Sequence, residues 1–226
     1  MSAASADGRA TRWAGQHQRR RAEFVDAALA AIAEHGPEVS TEQIAEKAGV
    51  ARTRLYKHFT DAADLQRAIS QRARELITIE LAPVWNPQGT PMQMITTAID
   101  THLRWLTEHT PLYRYLIQNS PAEHEEYTDI PTAIGEHLTE LFTGYLLAFD
   151  LDPAPAETTA FGIVGYVHSA STRWLDRHGP YTRDDLVAQL TAVIWTILDH
   201  TLRTGGVTLD PHRRLPPPHE LPAPGK

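Results

Sequence analysis

A chain of 226 residues, 42% of them apolar, is long enough to bury a substantial core and has the composition of a globular protein. The absence of cysteine excludes a disulfide framework, a thiol nucleophile and thiolate metal ligands. The formal net charge of -7 excludes a basic coat over the whole surface, but residues 1–60 contain nine Lys and Arg against seven Asp and Glu.

Apolar residues recur at helical spacing in the N-terminal part of the chain. Apolar spacing predicts a first helix over about residues 18–35, ended by Gly36 and Pro37. Ser40 and Gln43 have the spacing of a capping box and begin a short second helix, which Gly49 ends. The spacing of apolar residues over 50–59 then predicts a third helix.

The same period continues to the C-terminal part, and no strand pattern is found. Asp61 and Asp64 are placed as N-cap and third residue of a fourth helix that runs to a stop at Pro83. Apolar positions predict further helices over 92–106, 112–116, 134–145, 156–177 and 183–202, and Thr182 with Asp185 is a second capping pair. The proline-rich tail is expected to be extended or disordered.

The sequence shows no membrane-spanning or secretion signal. The first 21 residues have no apolar core of the signal-peptide kind, and no segment approaches about 18 consecutive apolar residues. We therefore expect a cytoplasmic protein with no membrane association.

Residues 40–59 have the order of a helix-turn-helix motif, in which the second helix enters the major groove of DNA. Ala45, four residues before Gly49, is small enough for the two helices to cross closely, and Val50 and Leu55 supply apolar contacts between them. An amphipathic helical hairpin with a solvated charged face is the alternative interpretation of so short a motif.

A family resemblance favours the first interpretation. From Phe24 to Leu65 the sequence FVDAALAAIAEHGPEVSTEQIAEKAGVARTRLYKHFTDAADL resembles, without a gap, the DNA-binding domain of the TetR family of transcriptional regulators. The motifs DAAL, IAEKAGV and LYKHF, the last followed by an acidic residue and leucine, provide the resemblance. It implies an all-α protein with an N-terminal three-helix helix-turn-helix domain and a larger helical bundle for ligand binding and dimerisation. The expected division is a disordered arm (1–16), a DNA-binding domain (17–62), a ligand-binding and dimerisation domain (63–204) and the tail (205–226).

The resemblance assigns roles in DNA binding to particular residues. Tyr56 and His58 are expected to donate hydrogen bonds to phosphate, although Tyr56 can instead cap the helical core and His58 can be an ordinary surface residue. Arginines at the exposed start of the third helix can read guanine, or can contact only phosphate. The expected DNA-binding residues are Ser40, Thr41, Arg52, Thr53, Arg54, Tyr56, Lys57 and His58.

Three departures from the family pattern concern DNA contacts. Arg54 stands where a threonine is common, and Ala62 replaces a common phosphate-binding lysine. Glu42 is expected on the DNA side, where its charge repels phosphate unless it reads a cytosine. The arginines near the N-terminus are expected to compensate as an arm over the DNA backbone or minor groove, or to form a solvated tail: Arg9, Arg12, Arg19, Arg20 and Arg21.

The last two helices are the expected dimer interface, because a helix-turn-helix regulator needs two recognition helices one DNA turn apart. The predicted helix over 156–177 supplies small residues for close approach, and the final helix supplies an apolar seam. The same residues also suit internal packing within one subunit. They are Ala160, Gly162, Gly165, Ser169 and Ala170 on the one helix and Leu186, Leu190, Val193 and Ile197 on the other.

The middle helices are rich in apolar residues, and the resemblance implies a cavity among them for a hydrophobic or amphipathic effector. The expected function is a repressor released from its operator by that effector. The alternatives are a regulator controlled by a protein partner or by no ligand and, less favoured, an all-helical enzyme. The expected ligand-binding residues are His102, Leu103, Leu106, Arg114, Leu138, Phe142, Tyr145, Val164 and His168.

The sequence contains no catalytic or metal-binding motif that would support the enzyme alternative. His124 lies among Glu123, Glu125 and Glu126, but no second histidine follows at ligand spacing. No phosphate-binding glycine loop, HExxH helix or nucleophile motif is present in the sequence. We expect no catalytic residues, no metal and no cofactor.

Overall fold

The computed structural model describes residues 3–119, 130–177 and 179–221, with side chains from residue 15 onward except at residue 83. All regular elements of these residues are helices, which confirms the all-α prediction. None of the described helices is long and apolar enough to cross a lipid bilayer. In chain order the helices are α1 (Ala3–His35), α2 (Thr41–Lys47), α3 (Arg52–Leu55), α4 (Ala62–Glu80), α5 (Ala82–Trp85), α6 (Pro91–Glu108), α7 (Thr110–Gln118), α8 (Ile130–Ala148), α9 (Ala156–Asp176), α10 (Arg183–Thr204) and a 3₁₀ helix, Pro218–Glu220.

The chain forms two compact units. Unit 1 comprises Met1–Ile77 and His109–Ala122, and unit 2 comprises Thr78–Glu108 and Glu123–Lys226. The DNA-binding domain was expected to end at residue 62, whereas most of α4 and all of α7 pack with unit 1. The reason is that α4 and α7 bury apolar side chains in that core: Leu65, Ile69 and Tyr115 are almost fully buried there.

Three helix boundaries differ from the predicted ones. The backbone of α1 is helical from Ala3, where a disordered arm was expected; alanines favour this, since alanine has the highest helix propensity. Helix α3 has only four residues, because tight turns follow it, with Lys57 N–H bonded to Arg54 O and His58 N–H to Leu55 O. Pro83 was expected to end α4, but it lies in the first turn of α5, where proline is tolerated.

The core of unit 1 is built from the inner faces of five helices. Helix α1 contributes the largest share, with apolar residues at helical spacing. Phe59, just after α3, and Ile69 of α4 are almost inaccessible to solvent. The cluster comprises Phe24, Val25, Ala28, Ala31, Ile32, Ile44, Leu55, Phe59, Leu65, Ile69 and Tyr115.

The turn between α2 and α3 is a Schellman motif with Gly49 in the left-handed region, at φ 67°. Val50 N–H donates to Ala45 O at 3.0 Å, and Gly49 N–H donates to Glu46 O at 2.9 Å. At the other end of α2, Ser40 and Gln43 form the capping box that their spacing predicts. Both ends of this short helix are therefore fixed by hydrogen bonds.

Arg21 fastens α1 to the segment between α3 and α4. Its guanidinium donates to both carboxylate oxygens of Asp64, at 2.8 and 2.5 Å, and to the backbone oxygen of His58 at 2.7 Å. It also lies over the ring of Phe59, 4.4 Å from the centroid. Asp64 in turn accepts a hydrogen bond from Thr60 N–H. One guanidinium thus joins the backbone of His58, the ring of Phe59 and the first turn of α4 to α1.

Unit 2 is a bundle in which α8 packs along α9 and α10 packs along α6. Thr182 and Asp185 form the predicted capping box at the start of α10. Helices α8 and α9 approach closely at Gly135, because a Cβ at this position would lie 2.8 Å from the ring of Phe161.

The C-terminal tail packs within unit 2 as far as it is described. Leu215 N–H donates to Gly89 O at 3.0 Å, and Met92 N–H donates to Pro211 O at 3.2 Å. Farther along, Pro218 lies so near α8 that a Cβ at Gly144 would meet its Cβ at 3.1 Å. The tail was expected to be extended or disordered; residues 207–217 contain no helix and are half-buried at 215–217. Proline suits such a segment, because its fixed φ reduces the entropy lost on ordering.

Replacing Arg21 by alanine should lower the stability of the protein by about 2 kcal/mol, since it leaves a mostly buried carboxylate without its charged partner. Arg20→Ala is the matched control: Arg20 pairs with Glu23 at 2.8 Å, but both side chains are 51% exposed. That variant should lose about 0.5 kcal/mol or less. Urea denaturation followed by circular dichroism measures both, and equal losses would contradict the role given to Arg21.

Candidate DNA-binding surface and effector site

The start of α3 presents its polar side chains to solvent. Arg52, Thr53 and Arg54 are exposed, while Leu55 of the same helix is fully buried in the core of unit 1. This split follows from the turn at Gly49, which directs one face of α3 inward and the other outward. Lys57 is exposed just after the helix.

The start of α2 has a half-buried Thr41 beside its N-cap. The Ser40 hydroxyl accepts a hydrogen bond from Gln43 N–H at 3.2 Å, and the Gln43 side chain accepts one from Ser40 N–H at 2.8 Å. The hydroxyl hydrogen of Ser40 is not used by this capping box. Ser40 can therefore cap the helix and donate a hydrogen bond to a ligand at the same time.

His58 is both a packing residue and a surface residue. Its ring lies 4.8 Å from the ring of His17 and 5.2 Å from that of Phe24, between ring centroids. Its Nδ1 is buried and has no hydrogen-bond partner among the described residues. Burial lowers the pKa of His58, and nearby His17, Arg20 and Arg54 lower it further. The imidazole is therefore biased toward its neutral form in a region of positive potential.

The arginines near the N-terminus differ in exposure and in the partners that they bind. Arg19 is exposed, and Arg20 pairs with Glu23. Arg21 was expected in the DNA-contacting arm, but this expectation is wrong, because its guanidinium faces inward and binds Asp64. The side chains of Arg9 and Arg12 lie outside the described residues.

Glu42 and Arg52 form a contact that sequence reasoning missed. The Glu42 carboxylate lies 2.5 Å from Nη1 of Arg52, and the Arg52 guanidinium carbon lies 5.5 Å from the centroid of the Tyr56 ring. Glu42 was expected to repel phosphate, but its charge is balanced by Arg52. Opposite charges ten residues apart across a predicted helix-turn-helix were the signal from which this pair could have been found.

The predicted ligand-binding residues fall in both units. Arg114 is an exposed residue of α7 in unit 1, and the other eight belong to unit 2. Leu103 and Leu106 of α6 are almost fully buried. The remaining residues on α8 and α9 are half-buried: Leu138, Phe142, Tyr145, Val164 and His168.

His102 lies on the apolar inner face of α6, at helical spacing from the buried residues Ile99 and Leu106. Part of its side chain is accessible, but its Nε2 is buried and has no hydrogen-bond partner among the described residues. Burial lowers the pKa of His102 to about 4, and His168 on α9 adds to the decrease. An uncharged imidazole therefore stands in a mostly apolar interior.

Ser171 extends this polar group on α9. It lies three residues after His168, on the same face of the helix, and is fully buried. Its hydroxyl oxygen has no hydrogen-bond partner among the described residues. His102 and Ser171 therefore each bury a polar atom that has no hydrogen-bond partner among the described residues.

The predicted dimer seam on α10 is largely internal. Leu186 and Leu190 are 5% and 0% exposed, because α10 packs on α6 within the same unit. Val193 is half-buried, and Ile197 is 36% exposed. On α9, Gly162, Gly165 and Ser169 are exposed, and Phe161 is 39% exposed.

Comparison with known families matches residues 24–69 to the bacterial regulatory proteins of the tetR family. These residues are the helix-turn-helix and its supports, from the α1 core residues to Ile69. Residues 24–69 therefore have the sequence of a TetR-family DNA-binding region. The chain is a DNA-binding transcriptional regulator.

Relatives of this chain match along most of its length. An uncharacterized HTH-type transcriptional regulator of Mycobacterium tuberculosis is 28% identical over 95% of this chain and 92% of the relative. The transcriptional activator FasR of Mycolicibacterium smegmatis is 21% identical to this chain, over 80% of this chain and 84% of FasR.

Solved structures of TetR-family regulators share the fold. A regulator from Streptomyces coelicolor superposes with a TM-score of 0.62 at 23% identity, covering 83% of each chain. FadR from Bacillus subtilis, solved in complex with stearoyl-CoA, gives a TM-score of 0.54 at 19% identity, covering 77% of this chain and 96% of FadR. At these identities the likeness concerns the fold alone.

Within the described ranges no group of three or more His, Cys, Asp or Glu side chains is arranged to hold a metal ion. His124 and its glutamates lie outside the described residues.

The regulator should lose stability as the pH falls from about 6.5 toward 4, in part because of His102. In this window the unfolded state binds the His102 proton and the folded state does not, so acid favours unfolding, by at most about 3 kcal/mol. His102→Leu should remove that part of the pH dependence. His200→Leu, at an exposed position of α10, is the matched control and should keep the wild-type slope. Denaturation midpoints between pH 7 and pH 4 provide the measurement, and parallel curves for wild type and His102→Leu would contradict the burial of an uncharged His102.

Proposed function

We propose that this regulator is a repressor that binds operator DNA as a homodimer and leaves it when a small hydrophobic or amphipathic molecule binds unit 2. The exposure of Arg52, Thr53 and Arg54 directly after the glycine turn is the observation that supports DNA binding. In this proposal the chain catalyses no reaction, needs no cofactor and acts in the cytoplasm, where its DNA target lies.

The contacts to DNA divide by chemistry. Arg52 and Arg54 can each form two hydrogen bonds with guanine, and Thr53 lies between them for a further contact with base or backbone. Tyr56, Lys57 and His58 follow, and we assign them to phosphate, His58 through Nε2 because its Nδ1 is buried. Ser40 and Thr41 at the start of α2 complete the proposed phosphate contacts.

The effector site is proposed in the interior of unit 2. Leu103, Phe142 and Val164 supply apolar surface from three different helices. Ligand sites in helical bundles are usually built in this way, from side chains on facing helices. Leu106, Leu138 and Tyr145 extend that surface. His102 and His168 are the proposed contacts for the polar end of the molecule.

An acyl-containing effector is consistent with these groups. A neutral His102 can donate or accept one hydrogen bond, which suits a carbonyl or hydroxyl group. FadR from Bacillus subtilis, a protein of the same fold, was solved with stearoyl-CoA. We propose acyl chains and comparable apolar metabolites as the first compounds to examine.

Helix α4 is the proposed switch. Its residues up to Ile77 belong to unit 1 and its last turn to unit 2. Leu65 and Ile69 pack in the same core as Leu55 of α3, so a displacement of α4 would move the recognition helix. A ligand that prefers the displaced state by about 2.7 kcal/mol would weaken operator binding up to roughly a hundredfold.

The dimer interface is proposed on the outer faces of α9 and α10. Two recognition helices must lie about 34 to 36 Å apart to reach successive major grooves, which one subunit does not provide. Phe161 and Ile197 offer partly exposed apolar surface, and Gly162 and Gly165 allow a second helix to approach closely. This face replaces the seam through Leu186 and Leu190.

An effector should be identifiable by two linked measurements on the full chain. Operator sequences are first selected from a random duplex library, and apolar metabolites are then screened for thermal stabilisation of the protein. Stabilising compounds should weaken operator binding, up to about a hundredfold. Phe142→Trp should block the effect by filling the site, whereas Leu147→Trp, at a 54% exposed position of the same helix, should not.

Compounds that stabilise the protein and leave operator affinity unchanged would contradict the switch. Compounds that raise operator affinity would make the effector a corepressor. An equal loss of response in the Phe142 and Leu147 variants would move the site away from α8.

Gly165→Glu should convert the dimer to monomers and weaken operator binding, because it places a charge in the proposed interface. A Cβ at Gly165 meets no heavy atom within 4 Å, so the subunit itself should stay folded. Thr97→Glu, at an exposed position of α6, is the matched control and should stay dimeric. Light scattering and circular dichroism measure the two properties; a dimeric Gly165→Glu would place the interface elsewhere.

A further inference from the structure

The ion pair between Glu42 and Arg52 joins the two helices of the helix-turn-helix on their exposed side. Glu42 lies in the first turn of α2, and Arg52 is the first residue of α3. The carboxylate oxygen and Nη1 are 2.5 Å apart, while the two side chains remain 60% and 56% exposed. This contact therefore lies at the surface that we assign to DNA.

Fold stability does not account for this pair. The turn between the helices is already fixed by the hydrogen bonds of Gly49 and Val50, and Ala45 and Leu55 are buried beneath it. Exposed ion pairs typically contribute between zero and about 1 kcal/mol, since water screens both charges. The main physical effect of the contact is on the direction of the Arg52 side chain.

Arg52 is restrained from two sides. Glu42 accepts a hydrogen bond from Nη1, and the Tyr56 ring lies 5.5 Å from the guanidinium carbon. Only part of the guanidinium is used by Glu42, and its other N–H groups can still bind a base. Arg54 is exposed as well, and within the described part of the chain its side chain forms no ion pair or hydrogen bond.

We propose that Glu42 is a specificity-determining residue, which holds the Arg52 guanidinium against Tyr56 and directs it to one guanine in the major groove. The inference rests on the proposed DNA contacts of α3. Ordering a long side chain on binding costs about 0.5 to 1.5 kcal/mol, and Glu42 lowers this cost for Arg52 before DNA is bound. The pair also explains how a carboxylate is accommodated near phosphate: its charge is neutralised by Arg52.

The test is a selection from a random duplex DNA library by the full-length wild type and by variants. Wild type should show a guanine preference that Arg52→Ala abolishes. Glu42→Gln and Glu42→Ala should weaken the preference at that same position, about two- to tenfold. The position that depends on Arg54, identified with Arg54→Ala, should be unchanged. Adding Glu42→Ala to Arg52→Ala should have no further effect on base preference, because Glu42 acts through Arg52.

Glu34→Gln is the matched control. It removes another exposed ion pair, between Glu34 of α1 and Lys47 of α2 at 2.5 Å, on residues that are not assigned to DNA. Base preferences should be unchanged in this variant. Circular dichroism on every variant verifies that the helical content is retained.

Three results for the Glu42 variants would overturn the inference about Glu42. If Glu42→Ala relaxes a position that Arg52→Ala leaves intact, Glu42 reads a base itself. If Glu42→Ala strengthens binding to all sequences equally, it acts only by repelling phosphate. If base preferences do not change, the pair has no role in recognition. A wild type that enriches no sequence would refute the proposed DNA contacts, and the inference with them, whereas the other outcomes concern Glu42 alone.

Discussion

The bidentate contact between Arg21 and Asp64 is the interaction on which the geometry of unit 1 depends. Helix α3 has only four residues, too few to be stable alone, since helices shorter than about 12 residues are marginal in water. Its position is set by the groups that follow it. Arg21 binds the backbone oxygen of His58, stacks on Phe59 and binds Asp64 in the first turn of α4. The pKa of Asp64 is consequently held well below its usual value, chiefly by Arg21.

Charge on the exposed side of unit 1 is arranged locally, and the net charge of the chain is a poor guide to it. Arg21 forms an ion pair with Asp64 inside unit 1, Arg52 is paired with Glu42 at the surface, and Arg54 is exposed. Burial and the surrounding cations keep His58 biased toward its neutral form. An acidic protein can present such a surface because electrostatic interaction with phosphate falls off within about one Debye length, roughly 8 to 10 Å.

Unit 2 combines tight apolar packing with polar groups that are incompletely satisfied. Leu103 and Leu190 are fully buried, yet the nearby helices also bury Nε2 of His102 and the hydroxyl of Ser171. A buried polar atom without a partner costs about 1 to 3 kcal/mol, so these groups reduce stability unless a bound molecule satisfies them. A ligand that supplies the missing hydrogen-bond partners would remove this cost. Binding would then stabilise the ligand-bound conformation relative to the free one.

The sequence by itself determined the helices and their caps, because capping boxes, glycine stops and apolar periodicity are local: Ser40 with Gln43 and Thr182 with Asp185 were found where spacing put them. It also identified the TetR-like helix-turn-helix. Tertiary structure decided which residues meet across distance. Periodicity shows that one face of a helix is buried but does not name the neighbour, so Leu190 was assigned to a dimer seam and lies inside the subunit. Arg21 binds Asp64 across 43 residues and Glu42 binds Arg52 across a turn, because folding brings opposite charges together that the order of residues keeps apart.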